Sequence, residues 1–214
     1  EPLYDMKMAD IRPQHMQDII DNCGAGYQMQ KRIRILFNQL YRWCVQHDAI
    51  KKNYADQLSV TNDTESKTRT AFTTEEIEKL WAQVNKNKYV PLILMLIYSG
   101  VRISELLDLK KEDVNLDEQW FKVRKSKTKA GIRIVPIADK VLPFWRQFMA
   151  SSNCPYAVCT VNGEHISYDN FQKIYWKPLM RELNMEHTPH ETRHTFISLM
   201  VAANANQTIL KKIV

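Results

Sequence analysis

No hydrophobic run in this sequence is long enough to cross a bilayer. The longest, from Val90 to Tyr98, falls far short of the roughly 20 residues that a membrane helix needs, and no charged leader precedes a signal-like apolar core. The expectation is a chain that is neither anchored nor exported. Cysteine pairs are missing too: Cys23, Cys44, Cys154 and Cys159 form no C-x-x-C unit. Two of them lie in helical-looking or apolar surroundings where buried reduced thiols are common, which reads as a reducing, intracellular compartment. Glycine and proline are sparse, at 5 and 8 residues, which fits an ordered, mostly helical globule better than a disordered or disulfide-stapled chain. Residues 195–214 contain no His, Asp or Glu, an absence that bears on metal chemistry below.

What is present is a folded composition, 44% hydrophobic and 10% aromatic, in 214 residues. That length suits one large domain, or a small one joined to a medium one. Lys and Arg outnumber Asp and Glu by 30 to 24, for a net charge of +6. The balance favours a polyanionic partner such as nucleic acid, although many basic proteins bind none.

Residues 1–58 read as helices separated by a glycine-containing turn, Cys23 to Tyr27. After it, Ile33, Leu36, Phe37, Leu40, Trp43 and Cys44 recur at helical spacing and are assigned to one buried face. Lys31, Arg32, Arg34 and Arg42 fall mostly away from that face, as a solvated surface or one that tracks phosphates. Residues 59–70 have almost no apolar side chain and many turn formers, so a linker and the domain boundary are placed there. Thr73 and Glu76 then form a capping box, with Phe72 and Ile77 at the staple positions of a helix that buries Ile77, Leu80, Trp81 and Val84. Pro91 to Ser99 is apolar nearly all round, the pattern of a central core helix, and Gly100 can end it in a left-handed conformation. Trp120 to Arg124 and Ile132 to Ile137 are β-branched and aromatic, and the polar stretch between them predicts a hairpin with a long loop. The fold class is therefore mainly α with a small antiparallel β-sheet.

Three segments carry chemistry. In Gly100-Val101-Arg102-Ile103-Ser104-Glu105 an arginine sits just past a helix stop, where core packing can aim its guanidinium at a phosphate. A plain Arg–Glu surface pair is the alternative. The hairpin offers Lys125, Lys127, Lys129 and Arg133, cations able to enter a nucleic-acid groove or to protonate a leaving oxygen; solubility explains such lysines as well. In Thr188-Pro-His190-Glu191-Thr-Arg193-His194, Thr188 and Glu191 form a second capping box, with Pro189 at the first helical position. His190 and Arg193 then share the first turn, near free backbone N–H groups and the positive end of the helix dipole. The same letters spell H-E-x-x-H, a zinc-protease signature with His190 and His194 as ligands and Glu191 as base. No third ligand follows in residues 195–214, and capping already accounts for Glu191.

Taken in order and spacing, SGVRISELLDL, SKTKAGIRIVPI and HTPHETRHTF resemble the phage-integrase family of tyrosine recombinases, over residues 70–214. The style is that of integrases from bacterial phages and conjugative transposons. The resemblance implies a two-domain DNA clamp: a helical core-binding domain at 1–58, a linker at 59–70 and a catalytic domain at 71–214. It makes Arg102 and Arg193 the clamp on the scissile phosphate, Lys127 the proton donor to the 5′ oxygen with Lys129 as fallback, His190 the proton-transfer aid and Glu105 the support of the arginine. Lys125, Lys129, Arg133, Arg32 and Arg34 become DNA contacts. No metal or nucleotide cofactor is implied, because cleavage stores the phosphodiester energy in a 3′-phosphotyrosine. The implied partners are double-stranded DNA and further copies of the chain, as a tetramer on paired sites, in the cytoplasm of a bacterial cell or phage-infected host.

In one respect the chain departs from the family. The nucleophilic tyrosine belongs beyond the second arginine, whereas the last tyrosine here is Tyr175. With an opening Glu-Pro and an end at Val214 inside an apolar segment, both ends look cut, and the fragment is expected to bind DNA without cleaving it. A non-cleaving DNA-binding protein of the same fold and a type IB topoisomerase are the rival readings.

Overall fold

A computed structural model of the chain describes residues 3–60, 70–124, 132–151, 153–160 and 162–214. The chain forms two compact units, residues 1–68 and 69–214, each taken by itself.

In the first unit, α1 (Pro13–Asp21) begins on a proline whose missing N–H costs nothing at that position, and α2 (Tyr27–Gln46) follows Gly26. Met16 and Ile20 of α1 meet Tyr41 and Cys44 of α2, and the 3₁₀ turn Tyr54–Gln57 adds Ala55. The buried Tyr41 hydroxyl donates to the Ile11 carbonyl at 3.2 Å. The face of α2 assigned to the core is only partly correct. Cys44 is buried and Ile33 and Phe37 are half-buried, but Leu36, Leu40 and Trp43 are 54%, 45% and 57% exposed. The apolar surface of α2 is wider than α1 and one 3₁₀ turn can cover, and these pack on the side that carries Tyr41.

The second unit is built around α4 (Val90–Ser99), in which every residue but Tyr98 is buried. Nine buried positions on one short helix make it the centre of the core, since each fully buried Leu or Ile contributes roughly 1.5–3 kcal/mol. α3 (Thr74–Gln83) packs on it, opened by the Thr73–Glu76 capping box. Gly100 ends α4 in the left-handed region, φ +67°. After it come α5 (Ile103–Leu107), a three-stranded antiparallel sheet, α6 (Leu142–Ala150), α7 (Tyr168–Asn170), α8 (Lys177–Glu182), α9 (Glu191–Ala202) and α10 (Gln207–Ile213). A π-helical turn, Phe171–Trp176, joins α7 to α8 and buries Phe171 and Trp176.

The strands are β1 (Val114–Asn115), β2 (Trp120–Val123) and β3 (Arg133–Pro136), in the order β1-β2-β3. Phe121 pairs with Val135 and Val123 with Arg133. Because side chains alternate along a strand, this register turns Phe121, Val123, Arg133 and Val135 inward, while Ile132 and Ile134 are left 53% and 57% exposed. No described helix is long and apolar enough to cross a membrane.

Cys154 and Cys159 are joined by a disulfide, while Cys23 and Cys44 are free. The segment between the two half-cystines is pinned to other stretches of the chain: Tyr156 pairs with Lys110, Cys159 with His165, and the Ala157 amide donates to the Leu109 carbonyl at 2.7 Å. Sequence separation alone gave no sign of that arrangement. Thiol titration of the unfolded, unreduced chain is expected to count two thiols, and four after reduction. Closing so short a loop stabilises by at most about 2 kcal/mol, so Cys154→Ser should lower stability by no more than that. Four thiols before reduction would remove the crosslink.

Candidate active site

The end of α4 brings the first chemical segment against α9. Gly100 has neither room nor conformation for a side chain: an added Cβ would lie 2.3 Å from a ring carbon of Phe196 on α9. Its carbonyl accepts a 2.8 Å hydrogen bond from Arg193 Nη1. One residue therefore packs the two segments together and fixes one guanidinium.

Two residues on, Arg102 precedes α5, and its backbone N–H donates to Glu105 Oε2 at 3.0 Å. Its Nη1 also donates to Glu105 Oε1 at 2.8 Å, with the arginine side chain 48% exposed and the glutamate only 5%. Arg133 reaches the same carboxylate from β3, at 2.9 Å from Nη2 to Oε2 and 3.3 Å from Nη1 to Oε1. Burial pushes the Glu105 carboxyl up, but the hydrogen bonds from Arg133 and the Arg102 backbone outweigh it and hold the group below the ordinary carboxylate range. Arg193 is held below its ordinary value, first by burial and then by the positive charges of Arg102 and Arg133, with Glu105 opposing. Three guanidiniums thus share one electrostatic neighbourhood with a single carboxylate. Such an excess of positive charge, with Arg102 half open to solvent, suits a phosphodiester.

His190 stands exposed at the N-terminus of α9, three residues before Arg193, with its ring edge-on to His194 at 5.0 Å between centroids. α9 itself begins later than expected, at Glu191 rather than at Pro189. Its cap works through the carboxylate: Glu191 Oε2 accepts from the Thr188 backbone N–H at 2.9 Å. The same oxygen faces His187 Nδ1 at 2.9 Å, so Glu191, itself buried, is occupied and not poised as a metalloprotease base. Among the described residues no cluster of three His, Cys, Asp or Glu could hold a metal ion.

The structure gathers Arg102, Glu105, Arg133 and Arg193 and places His190 on the same turn as Arg193. Lys125, Lys127 and Lys129 lie outside the described residues. Arg32, exposed, and Arg34, half-buried, belong to α2 in the first unit. Arg133, expected as a DNA contact, has a side chain that is 6% exposed and grips Glu105, because strand alternation turns it to the covered face of the sheet. Sequence reasoning missed His187, whose ring stacks on Phe72 and lies between Glu191 and Glu76, the latter at 3.0 Å from Nε2. Burial raises the Glu76 carboxyl, but the Thr73 backbone and His187 together bring it below its ordinary value. Two capping carboxylates, each visible in sequence, are thereby bridged by His187, which reaches Glu76 across 111 positions, and nothing local announces that.

The family model described as the phage integrase family matches residues 70–214. The chain belongs to the phage integrase family. Among its relatives, the tyrosine recombinase XerA of Pyrococcus furiosus is 29% identical over 153 residues, which is 67% of this chain and 52% of the relative. A probable integrase/recombinase of Acholeplasma phage L2 is 28% identical over 191 residues, 85% of this chain and 64% of that protein. The chain spans about half the length of the XerA recombinases it matches. In fold it is similar to the Tn1549 transposon integrase solved with circular-intermediate DNA (TM-score 0.82, 20% identity, 96% of this chain and 78% of that one). It is also similar to a lambda integrase tetramer solved on a Holliday junction (TM-score 0.74, 16% identity, 94% and 63%).

Two outcomes follow for this site. Gly100→Ala combines a left-handed backbone with a Cβ inside the Phe196 ring, and should destabilise the second unit by about 2–4 kcal/mol in chemical denaturation. A loss within error of zero would contradict that packing. Glu105, with its lowered pKa, contributes stability that is fully present above its ordinary value of 4.5 and is lost as pH falls through the lower folded value. Glu105→Ala should cost about 3–5 kcal/mol at neutral pH, by removing the buried carboxylate that Arg133 and Arg102 share, and the gap should narrow in acid. A gap independent of pH would refute the pairing.

Proposed function

We propose that this chain is the DNA-holding and phosphate-activating part of a site-specific recombinase, an integrase that inserts or excises a mobile element. The observation that carries the reading is the convergence of Arg102 and Arg193, from segments 91 positions apart, on one neighbourhood whose positive charges exceed its negative ones. In this reading the two guanidiniums hold the non-bridging oxygens of the scissile phosphate and stabilise the charge that builds there in the transition state. His190, exposed beside Arg193 on the first turn of α9, assists proton transfer, and Lys127 of the hairpin protonates the departing 5′ oxygen.

The nucleophile is a tyrosine hydroxyl. Its oxygen bonds to phosphorus as the bond from phosphorus to the 5′ oxygen breaks, giving a 3′-phosphotyrosine and a free 5′-hydroxyl. Attack by a 5′-hydroxyl reverses the step, so no metal or nucleotide is consumed. None of the tyrosines of this sequence follows Arg193, and the nucleophile is assigned to a segment outside these 214 residues. Lys125, Lys129, Arg32 and Arg34 serve as DNA contacts, with residues 59–70 as the linker between a core-binding domain at 1–58 and a catalytic domain at 71–214. The partner is double-stranded DNA, met by several copies of the chain, as a tetramer in the paired complex. The site of action is the cytoplasm of a bacterial cell or phage-infected host, where that DNA lies.

The test uses the chain continued through the family's tyrosine and a library of nicked random-sequence duplexes that trap covalent protein–DNA adducts. Adducts enriched in one sequence are expected, and both Arg102→Ala and Arg193→Ala should abolish them while binding of the selected duplex changes by less than about tenfold. Undiminished adduct in both variants would overturn the clamp. Adducts without sequence preference would favour a topoisomerase, and sequence-specific binding without any adduct a DNA-binding protein that never cuts.

A further inference from the structure

We propose that Arg133 is a positioning residue of the phosphate clamp, acting on Arg102 through Glu105 and not through DNA; the inference rests on the clamp reading above. Four donors converge on the Glu105 carboxylate. Oε1 accepts from Arg102 Nη1 at 2.8 Å and Arg133 Nη1 at 3.3 Å, and Oε2 from the Arg102 backbone N–H at 3.0 Å and Arg133 Nη2 at 2.9 Å. A carboxylate offers about four lone-pair sites, so these bonds fill it, two from each arginine.

The two arginines contribute differently. Arg102 is 48% exposed and its side chain makes one bond to the carboxylate, so its direction depends on where that carboxylate is held. Arg133 is 6% exposed, fixed on a paired strand, and grips Glu105 with two parallel bonds, a geometry that resists rotation. Its Nε also donates to the Ile213 carbonyl at the end of α10. The planar group on β3 therefore sets the plane of the carboxylate, and the carboxylate sets Arg102. The same group ties this arrangement to the last helix of the chain, 80 positions away.

Without Arg133, Glu105 keeps the two bonds from Arg102, both from the residue whose direction it sets, and loses its anchor on the sheet. The expected failure is one of geometry: a clamp still present and still charged, but misaimed. Small misplacements of groups that act in the transition state lower the chemical step far more than they lower binding. A DNA contact would behave in the opposite way, with weaker binding and a salt dependence reduced by about one unit of slope per lost phosphate contact.

The experiment compares Arg133→Met and Arg133→Lys in the chain continued through the family's tyrosine, using the duplex selected above. Equilibrium affinity is measured across a salt series, and covalent attachment in single turnover at saturating protein. Affinity and salt slope should match the parent, attachment should fall at least about 100-fold in Arg133→Met, and Arg133→Lys should recover part of it, since an ammonium restores charge and one bond but not the fork. Placing Arg133→Lys in a Glu105→Gln background should add little to the loss from Glu105→Gln alone, because both act on one element. This pair decides the matter if Arg133→Met does not fold. A lower salt slope with an unchanged saturating rate would make Arg133 a DNA contact. A full attachment rate in Arg133→Met, or losses that multiply in the double variant, would overturn the proposal. Arg102→Ala separates the two levels: adduct lost there but kept in Arg133→Met refutes only the positioning role, whereas adduct kept in both refutes the clamp itself.

Discussion

The site depends on one carboxylate. Three guanidiniums drawn into a common, partly buried neighbourhood repel one another, and the lowered pKa of Arg193 registers that repulsion on top of its desolvation. Glu105 is the counterion that lets them coexist, and it is buried to 5% exposure, where its charge is screened least. Its own ionisation is in turn secured by the arginines. Neither side of the arrangement is stable without the other, which is the usual condition for keeping charge inside a protein. The excess of guanidinium over carboxylate leaves the neighbourhood positive.

Around that centre the packing is arranged to hold two distant segments in register. α4 is the fixed element, and Gly100 at its end allows α9 to come within contact of the backbone, so that the Phe196 ring and the Arg193 guanidinium both rest on the same residue. On the other side of α9, Thr195 Oγ1 accepts from the Phe72 amide at 2.9 Å, and His187 joins the caps of α3 and α9. The first turn of α9 is thus held from two directions, and His190 and Arg193 inherit their positions from it. Pre-positioning of this kind is what a reaction limited by charge stabilisation requires.

How far the sequence could be read depended on whether a signal was local. The capping box of α3, the apolar length of α4 and the glycine that ends it are short-range features, and the structure has them where they are expected. The three boxes identified the family because their order and spacing survive wherever the chain folds. The orientation of β3 was not legible. Residues 132, 134, 135 and 137 are all apolar, so both faces of the strand look like a core face, and the register against β2 with the partnership to Glu105, 28 positions away, sets Arg133 inward. The packed side of α2 was hidden in the same way, since its apolar residues extend round more of the helix than α1 can meet. The turn that closes Cys154 on Cys159 is set by a pairing with Lys110, which no spacing of cysteines encodes.

The open face of α2 has an optical consequence. Trp43 is the sole tryptophan among residues 1–68, it is 57% exposed, and its ring lies 4.1 Å from that of His47. Trp145 and Trp176, in the other unit, are sealed in the core. Indole emission shifts to the red in water, so the light of Trp43 lies to the red of that from Trp145 and Trp176, with the half-buried Trp81 and Trp120 of the second unit between them. The molecule carries its own label on the helix that holds Arg32 and Arg34, and events on that surface can be followed without adding a dye.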